Sequence, residues 1–187
     1  NYTEAVGEAA FYGPKLDIQI KNVHGKEDTL ITVQIDLMLA KQFGMTYTDK
    51  DGAEKHPYII HRTSLGCYER TIALLLEKFA GALPTWLMPT QVMVIPISEN
   101  YHDYAEKVHK ALRAAGIRAD VDYRAEKMGY KIREAQLEKI PYMLVVGEKE
   151  AADNTVAVRA RKEENGGTKT IEQFIADIRS EIDNKVV

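Results

Sequence analysis

An arginine near the start of a predicted helix is the residue with the clearest chemical meaning in this sequence. Apolar spacing predicts a helix over about 66–79, with Arg70 in its first turn. Its predicted buried stripe is Ile72, Leu75, Leu76 and Phe79. The helix macrodipole makes a cation there unfavourable by roughly 0.3–1 kcal/mol. Two interpretations are about equally supported: Arg70 pairs with Glu69 or another carboxylate, or it binds an anion at the helix N-terminus.

Small residues lie just before this arginine. Ser64, Gly66 and Cys67 would let a ligand approach the backbone closely, which favours the anion-binding interpretation. Cys67 is the one cysteine of the chain, so it forms no internal disulfide. A lone cysteine fits a reducing compartment, and we expect a cytoplasmic protein.

A histidine, His61, ends a predicted strand beside the same turn. A lone histidine is more often a hydrogen-bonded structural residue than a metal ligand. Zinc requires three or four protein ligands, and the other histidines show no ligand spacing with Cys67. From spacing alone, a zinc site within this chain is not expected.

Two alternating segments, 11–20 and 30–37, predict an antiparallel ribbon with one apolar and one polar face. The polar face carries Lys15, Asp17, Gln19, Thr32, Gln34 and Asp36. A solvated face is the usual outcome. The glutamines slightly favour a floor that holds a small polar ligand. Lys15, which follows Gly13 and Pro14, is on its own more simply a surface lysine.

The remaining patterns place these residues in an α/β chain of two domains, 1–88 and 89–187. The first is α+β: the ribbon, a turn at 49–52, a third strand over 57–61, the helix, and a linker over 84–89. The second reads β-α-β-α-β-β-α, which predicts a mixed, mostly parallel sheet covered by helices. Ser98 is predicted to cap the first helix of this domain, and Gly116 to end it. A capping box from Thr170 to Gln173 opens the last helix.

Basic residues cluster twice in the second half. Lys127, Lys131 and Arg133 share a helix with several glutamates, so a solvated surface with ion pairs is the usual interpretation. Arg159, Arg161 and Lys162 end a strand without an intervening acid, which makes them the better candidates for RNA contact.

Composition limits the class of protein. The chain has 187 residues, of which 45% are hydrophobic and 28% charged, which is typical of a folded domain. Apolar stretches are too short for a membrane span, and the start shows no secretion signal. The net charge of −3 means that any nucleic-acid site must be a local patch.

Six segments together resemble the threonyl-tRNA synthetases, a class II family: 7–15, 60–70, 81–87, 114–118, 129–134 and 141–147. The resemblance covers essentially the whole chain. It implies the end of a class II catalytic domain followed by an anticodon-binding domain. It also implies an enzyme that activates threonine with Mg-ATP and transfers it to the 3′ end of tRNA-Thr as a homodimer. The fragment alone is expected to be inactive.

The resemblance assigns roles in the catalytic part. Arg70 would bind ATP phosphate, and Lys15 would hold substrate or the anion of the transition state. His61 would be one of three zinc ligands, the other two lying upstream of this segment in the family. The positions that line the threonine pocket would be Tyr12, Thr32, Gln34 and Cys67.

In the anticodon-binding part, Glu150 and Arg159 match positions that read anticodon bases in the family, and Lys127 and Arg133 would support the RNA backbone. Three positions depart from the family. Thr29 stands where a glutamine contacts the nucleotide, Ala125 replaces an asparagine, and Lys139 replaces an arginine.

Two alternatives stay open at this point. The chain could be a synthetase-like paralogue that binds RNA or protein without aminoacylation, or, less well supported, a prolyl or glycyl relative. We also expect an exposed apolar patch where the rest of the catalytic domain would pack.

Overall fold

The computed structural model describes residues 2–161 and 166–187, and these form two compact units that divide between Lys78 and Phe79. Segment 79–88, which the sequence assigns to the first domain, groups with the second unit. Within the described residues, no helix is long and apolar enough to cross a membrane.

The first unit contains a three-stranded antiparallel sheet in the order β1-β2-β5. Its elements are β1 (Lys15–Lys21), β2 (Glu27–Asp36), α1 (Leu39–Gln42), β3 (Tyr47–Thr48), β4 (Glu54–Lys55), β5 (Ile59–Arg62) and α2 (Tyr68–Phe79). The predicted ribbon is confirmed: Lys15 pairs with Gln34 in register. Gln34 in turn pairs with His61 of β5. Paired residues point to the same side of a sheet, so these three polar residues share one face.

The predicted buried stripe of α2 is wrong. Ile72 is 56% exposed and Leu76 47% exposed, and no residue of α2 is buried. Among the described residues of the first unit, only Asp36 and Ala40 are buried. The expected exposed apolar surface is therefore present, because the amphipathic helix has little within its own unit to pack against.

The second unit has a five-stranded sheet in the order β10-β9-β8-β6-β7. Its elements are β6 (Val92–Pro96), α3 (His102–Ala114), β7 (Ala119–Val121), α4 (Met128–Leu137), β8 (Tyr142–Val146), α5 (Glu148–Asp153), β9 (Thr155–Ala160), β10 (Thr168–Thr170) and α6 (Ile171–Asp183). Strand β6 runs parallel to β7 and β8, whereas β9 is antiparallel to β8 and β10. The predicted mixed sheet is confirmed. It is evenly mixed rather than mostly parallel, because β10, which the sequence analysis missed along with α5, adds a second antiparallel pairing.

Helices cover both faces of this sheet. One face packs against α3 and α6 through residues such as Leu112, Leu144 and Phe174. The other packs against α4 through Ile132 and Met143. These two clusters make the second unit a domain with a closed core.

The predicted helix ends are mostly confirmed. Gly116 follows α3 with φ of +76°, a left-handed conformation that glycine adopts readily. Thr170 and Gln173 exchange the two hydrogen bonds of the capping box, each 3.2 Å long. The predicted Ser98 cap is wrong: its side chain makes no capping hydrogen bond, and a 3-10 turn (Glu99–Tyr101) precedes α3.

The predicted linker is bound to the second unit rather than free. Pro84, Thr85 and Met88 are buried. The guanidinium of Arg118 donates to the carbonyls of Trp86, Met88 and Pro89 at 2.8–3.2 Å. Backbone carbonyls in this segment thus find side-chain donors, which removes the cost of burying them.

Candidate functional site

A cavity of about 280 Å³ opens beside the polar face of the first unit. Its walls come from β2, β5 and the turn before α2. It is lined by Thr29, Leu30, Thr32, Gln34, His61, Thr63, Gly66, Cys67 and Arg70. Five residues predicted for the site therefore meet here: Thr32, Gln34, His61, Cys67 and Arg70. Tyr12 and Lys15 do not line the cavity.

The floor of the cavity is held by side-chain hydrogen bonds. The hydroxyl of Tyr12 donates to Oε1 of Gln34 at 2.6 Å. Lys15 lies 2.7 Å from the carboxylate of Asp17, which also accepts from the hydroxyl of Thr32 at 2.9 Å. The hydrogen bond from Lys15 lowers the pKa of Asp17, and the same bond raises the pKa of Lys15. Tyr12 thus orients Gln34 directly, and Lys15 orients Thr32 through Asp17.

His61 is oriented by a buried carboxylate. Its Nε2 lies 3.1 Å from Oδ2 of Asp36. The other oxygen of Asp36 accepts from the backbone N–H groups of Met38 and Leu39 at 2.9 and 2.8 Å. The Leu39 N–H contributes most to holding the pKa of Asp36 below its usual range. A carboxylate on one imidazole nitrogen is the usual partner of a metal-bound histidine, and it leaves Nδ1 for a ligand.

The described residues include no group of three or more histidine, cysteine, aspartate or glutamate side chains that could hold a metal ion. His61 with Asp36 accordingly offers one ligand and its supporting carboxylate. The sequence analysis placed Asp36 on the polar face but gave it no role. The signal that could have found it is its alternation with Gln34 along β2, which puts both beside β5.

Arg70 lies in the first turn of α2, as predicted, and reaches across the cavity wall. Its Nη1 donates to the carbonyl of Thr29 at 3.0 Å. In the part of the chain that the structure describes, it forms no ion pair with a carboxylate. Glu69 instead accepts from the thiol of Cys67 at 2.8 Å, so the alternative interpretation, in which Arg70 pairs with Glu69, does not hold. A guanidinium with unused donors at a helix N-terminus is suited to an anion.

Gly66 shapes the turn before α2. It has φ of +64°, and a Cβ at this position would overlap the carbonyl oxygen of Leu30 in β2. The turn can therefore approach the strand only with glycine here, which brings Cys67 and Arg70 to the cavity.

The residues predicted to contact RNA lie on three elements of the second unit. Arg159 pairs with Met143 across β9 and β8, so it points to the sheet face that α4 partly covers. Its Nε is buried without a hydrogen-bond partner. Lys127 and Arg133 are exposed at the N-cap and on the surface of α4. Glu150 uses one oxygen to accept from the N–H of Gly147 at 3.0 Å, which caps α5.

Two basic residues of the predicted clusters are not available to RNA. Lys131 is only 4% exposed and donates to a backbone carbonyl. Arg161 donates to the carbonyls of Lys139 and Leu83 at 2.7 and 3.0 Å, and burial lowers its pKa. Lys162 falls outside the described residues. Among the described residues of the strand-end cluster, Arg159 therefore remains as the candidate for RNA contact.

Comparison with known proteins divides the chain in the same way. Residues 2–79 match the family described as tRNA synthetase class II core domain (G, H, P, S and T), and residues 91–181 match the anticodon binding domain family.

Curated relatives match both units at once. A threonine–tRNA ligase of Clostridium botulinum (strain Eklund 17B / Type B) is 63% identical over 185 residues, which is 99% of this chain and 29% of the relative. Threonine–tRNA ligase 1 of Bacillus subtilis (strain 168) is 53% identical over 176 residues, 94% of this chain and 27% of the relative. The chain thus spans less than a third of the length of these relatives.

Solved structures show the same architecture. The RNA binding domain of threonyl-tRNA synthetase from Cryptosporidium parvum Iowa II superposes with a TM-score of 0.83 at 40% identity, covering 93% of this chain and 44% of that one. Prolyl-tRNA synthetase from Cryptosporidium parvum gives a TM-score of 0.78 at 21% identity, covering 97% of this chain and 39% of that one. The second likeness concerns the fold alone.

Proposed function

Because the chain belongs to the class II tRNA synthetases, as the end of their core domain joined to an anticodon-binding domain, we propose that it is part of a threonine–tRNA ligase. Its first unit contributes to the site for threonine and ATP, and its second unit binds tRNA-Thr. The alternative of a binding module without aminoacylation is not favoured, since threonine ligases match both units.

The observation that carries the proposal for the first unit is that Thr32, Gln34, His61 and Arg70 line one cavity. Threonine differs from valine by a hydroxyl in place of a methyl group. A site that hydrogen-bonds this hydroxyl rejects valine strongly, because its polar groups would be left unpaired. The hydrogen bonds from Tyr12 to Gln34 and from Thr32 to Asp17 support such a rigid polar wall.

Zinc fits His61 as one of its ligands. The imidazole is positioned by Asp36, in the arrangement typical of metal-bound histidines. The resemblance to the family assigns the remaining ligands to another part of the core, and a bound zinc ion would hold the amino and hydroxyl groups of threonine. Within this chain, Asp36 keeps the ring in place and Tyr12 packs edge-on against it, with ring centroids 6.1 Å apart.

Arg70 is the proposed contact for the phosphate of Mg-ATP. Arg70 lines the same cavity, and its guanidinium carries no carboxylate partner among the described residues. Removing an anion-binding arginine would weaken ATP binding without altering the floor that holds threonine.

His61→Ala tests the zinc assignment in the whole ligase to which this segment belongs. We expect bound zinc and threonine-dependent pyrophosphate exchange to fall together, each by more than about tenfold, because a first ligand matters at least as much as its supporting groups. Metal analysis and the exchange assay measure the two effects. His24→Ala, in the turn between β1 and β2, is the matched control and should change neither. Unchanged zinc content in His61→Ala would sink the assignment.

Arg159→Ala tests the second unit. Arg159 is partly exposed and matches a family position that reads an anticodon base, so we expect binding of a threonine anticodon stem-loop to weaken by about ten- to a hundredfold. Stem-loops with altered anticodons should lose much less. Arg113→Ala, exposed at the end of α3, is the control. An equal loss on every stem-loop would indicate a phosphate contact instead of base reading.

A further inference from the structure

A lysine is buried at the carboxyl ends of two neighbouring parallel strands. Lys131 is 4% exposed, and its Nζ donates to the carbonyl of Asp122 at 2.9 Å. The same Nζ lies 3.5 Å from the carbonyl of Pro96. Pro96 ends β6 and Asp122 directly follows β7, so a single amine joins the two strand ends.

The topology explains how a residue of α4 reaches both strand ends. Strand β6 leads to α3 on one face of the sheet, whereas β7 leads to α4 on the other. The loop 122–127 joins β7 to α4, and Lys131 lies in the first turn of that helix. Its amine therefore lies beside the carbonyls at the ends of β6 and β7.

The side chain of Asp122 is hydrogen-bonded as well. It is 8% exposed, and its carboxylate accepts from the Nε and Nη2 of Arg124 at 2.9 and 2.7 Å and from the Arg124 N–H at 3.1 Å. The guanidinium of Arg124 then lies 5.8 Å from the ring centroid of Tyr130 in α4. Lys131 and Arg124 therefore fix the main chain and the side chain of one residue, at the start of the loop 122–127.

We infer that Lys131 is a positioning residue for RNA binding: it fixes Asp122, and through it the loop that places Lys127 at the start of α4, without touching RNA itself. The inference rests on the proposed tRNA-binding function of the second unit. Direct contact is excluded by the burial of Lys131. Burying an amine is costly, and its bonds to the strand-end carbonyls offset that cost.

The test compares Lys131→Met with Lys127→Met in the full chain, using a threonine anticodon stem-loop at several salt concentrations. Methionine keeps the length of the lysine stem and removes its charge. We expect Lys131→Met to raise the dissociation constant roughly three- to thirtyfold, as for residues that act on a site without contacting the ligand. Its salt slope should equal that of the unaltered chain, whereas Lys127→Met should lower the slope by about 0.7.

Four companion measurements make the test decisive. Amide hydrogen exchange over 122–127 should become faster in Lys131→Met. Asp122→Asn, which weakens the pairing of the Asp122 side chain with Arg124, should also raise the dissociation constant. The double variant should show less than the sum of the two effects. Lys110→Met, at an exposed position of α3 on the other sheet face, should leave binding unchanged.

The inference is overturned if Lys131→Met and Asp122→Asn bind with unaltered affinity, or if Lys131→Met lowers the salt slope as Lys127→Met does. It is also overturned if the variants only lower the melting temperature while affinity per folded molecule is kept. Failure of the unaltered chain to bind the stem-loop would instead refute the proposed function, and this inference with it.

Discussion

The two units of this chain use similar apolar patterns in different ways. In the second unit, helices α3, α4 and α6 cover both faces of the sheet, and residues such as Val94, Leu144 and Phe174 are buried to 2% exposure or less. In the first unit, β1 and α2 are equally amphipathic, yet Leu16 is 60% and Ile72 56% exposed. An amphipathic element becomes buried only when the fold supplies an opposing surface.

The two units therefore differ in what their residues provide: a stable core in the second and a polar cavity in the first. The second unit has a closed core, so its stability resides in its own packing. The first unit arranges a polar cavity on a sheet whose apolar side chains lack such packing. Its geometry is maintained by hydrogen bonds such as those that Tyr12 donates to Gln34 and His61 donates to Asp36.

The largest expected effect comes from a matched pair of leucine substitutions. Leu144→Ala, at a position with 0% exposure, should lower the free energy of unfolding by about 2–5 kcal/mol because it leaves a cavity in the sheet core. Leu76→Ala, at 47% exposure in α2, should change it by less than about 0.5 kcal/mol. Urea unfolding followed by circular dichroism measures both. Equal losses would contradict the contrast between the units.

A smaller effect is expected where segment 79–88 packs against the rest of the second unit. Arg118→Met keeps the side-chain stem but removes the donors to Trp86, Met88 and Pro89. We expect a loss of about 2 kcal/mol, the scale of hydrogen bonds from a charged group.

The chain's single tryptophan, Trp86, lies in this segment, so its fluorescence reports the transition directly. Arg113→Met, exposed on α3, is the matched control. If Arg118→Met unfolds like this control, the segment is a free tether and the second unit begins after it.

The smallest effect concerns acid stability. Hydrogen bonds from Arg124 hold the pKa of Asp122 below its usual value, with the Arg124 side chain contributing most. A carboxylate with a lowered folded-state pKa stabilises the fold at pH values above its unfolded pKa of about 3.9, and this contribution is lost as the pH falls through the folded pKa. Stability of the second unit should therefore decrease on acidification below about pH 4.

Asp122→Asn should be less stable than the unaltered chain at pH 7, and the difference should shrink below about pH 4. Arg124→Met should show the same convergence, since it removes the main cause of the lowered pKa. Denaturation at a series of pH values measures this. Parallel curves at all pH values would mean that Asp122 does not titrate with folding.

Local patterns predicted much of the architecture because they depend on neighbouring residues. Alternation along β1 and β2 determines which side chains share a face, so Gln34 and Thr32 could be assigned to the polar floor. The capping box at Thr170 and the glycine after α3 are likewise short-range signals. The short elements α5 and β10 carry too few residues for such a pattern, and they were missed.

The sequence by itself determined the two-unit order, the polar floor and the position of Arg70 in the first turn of α2. Only the tertiary structure decided which charged residues are available to a ligand. Lys131 and Arg133 lie on the same basic helix, and the sequence pattern does not distinguish them. Lys131 is buried against strand ends, whereas Arg133 is exposed. Burial of such residues depends on which backbone carbonyls the fold brings within reach. The carbonyls that accept from Lys131, Arg118 and Arg161 do not appear in a pattern of side chains.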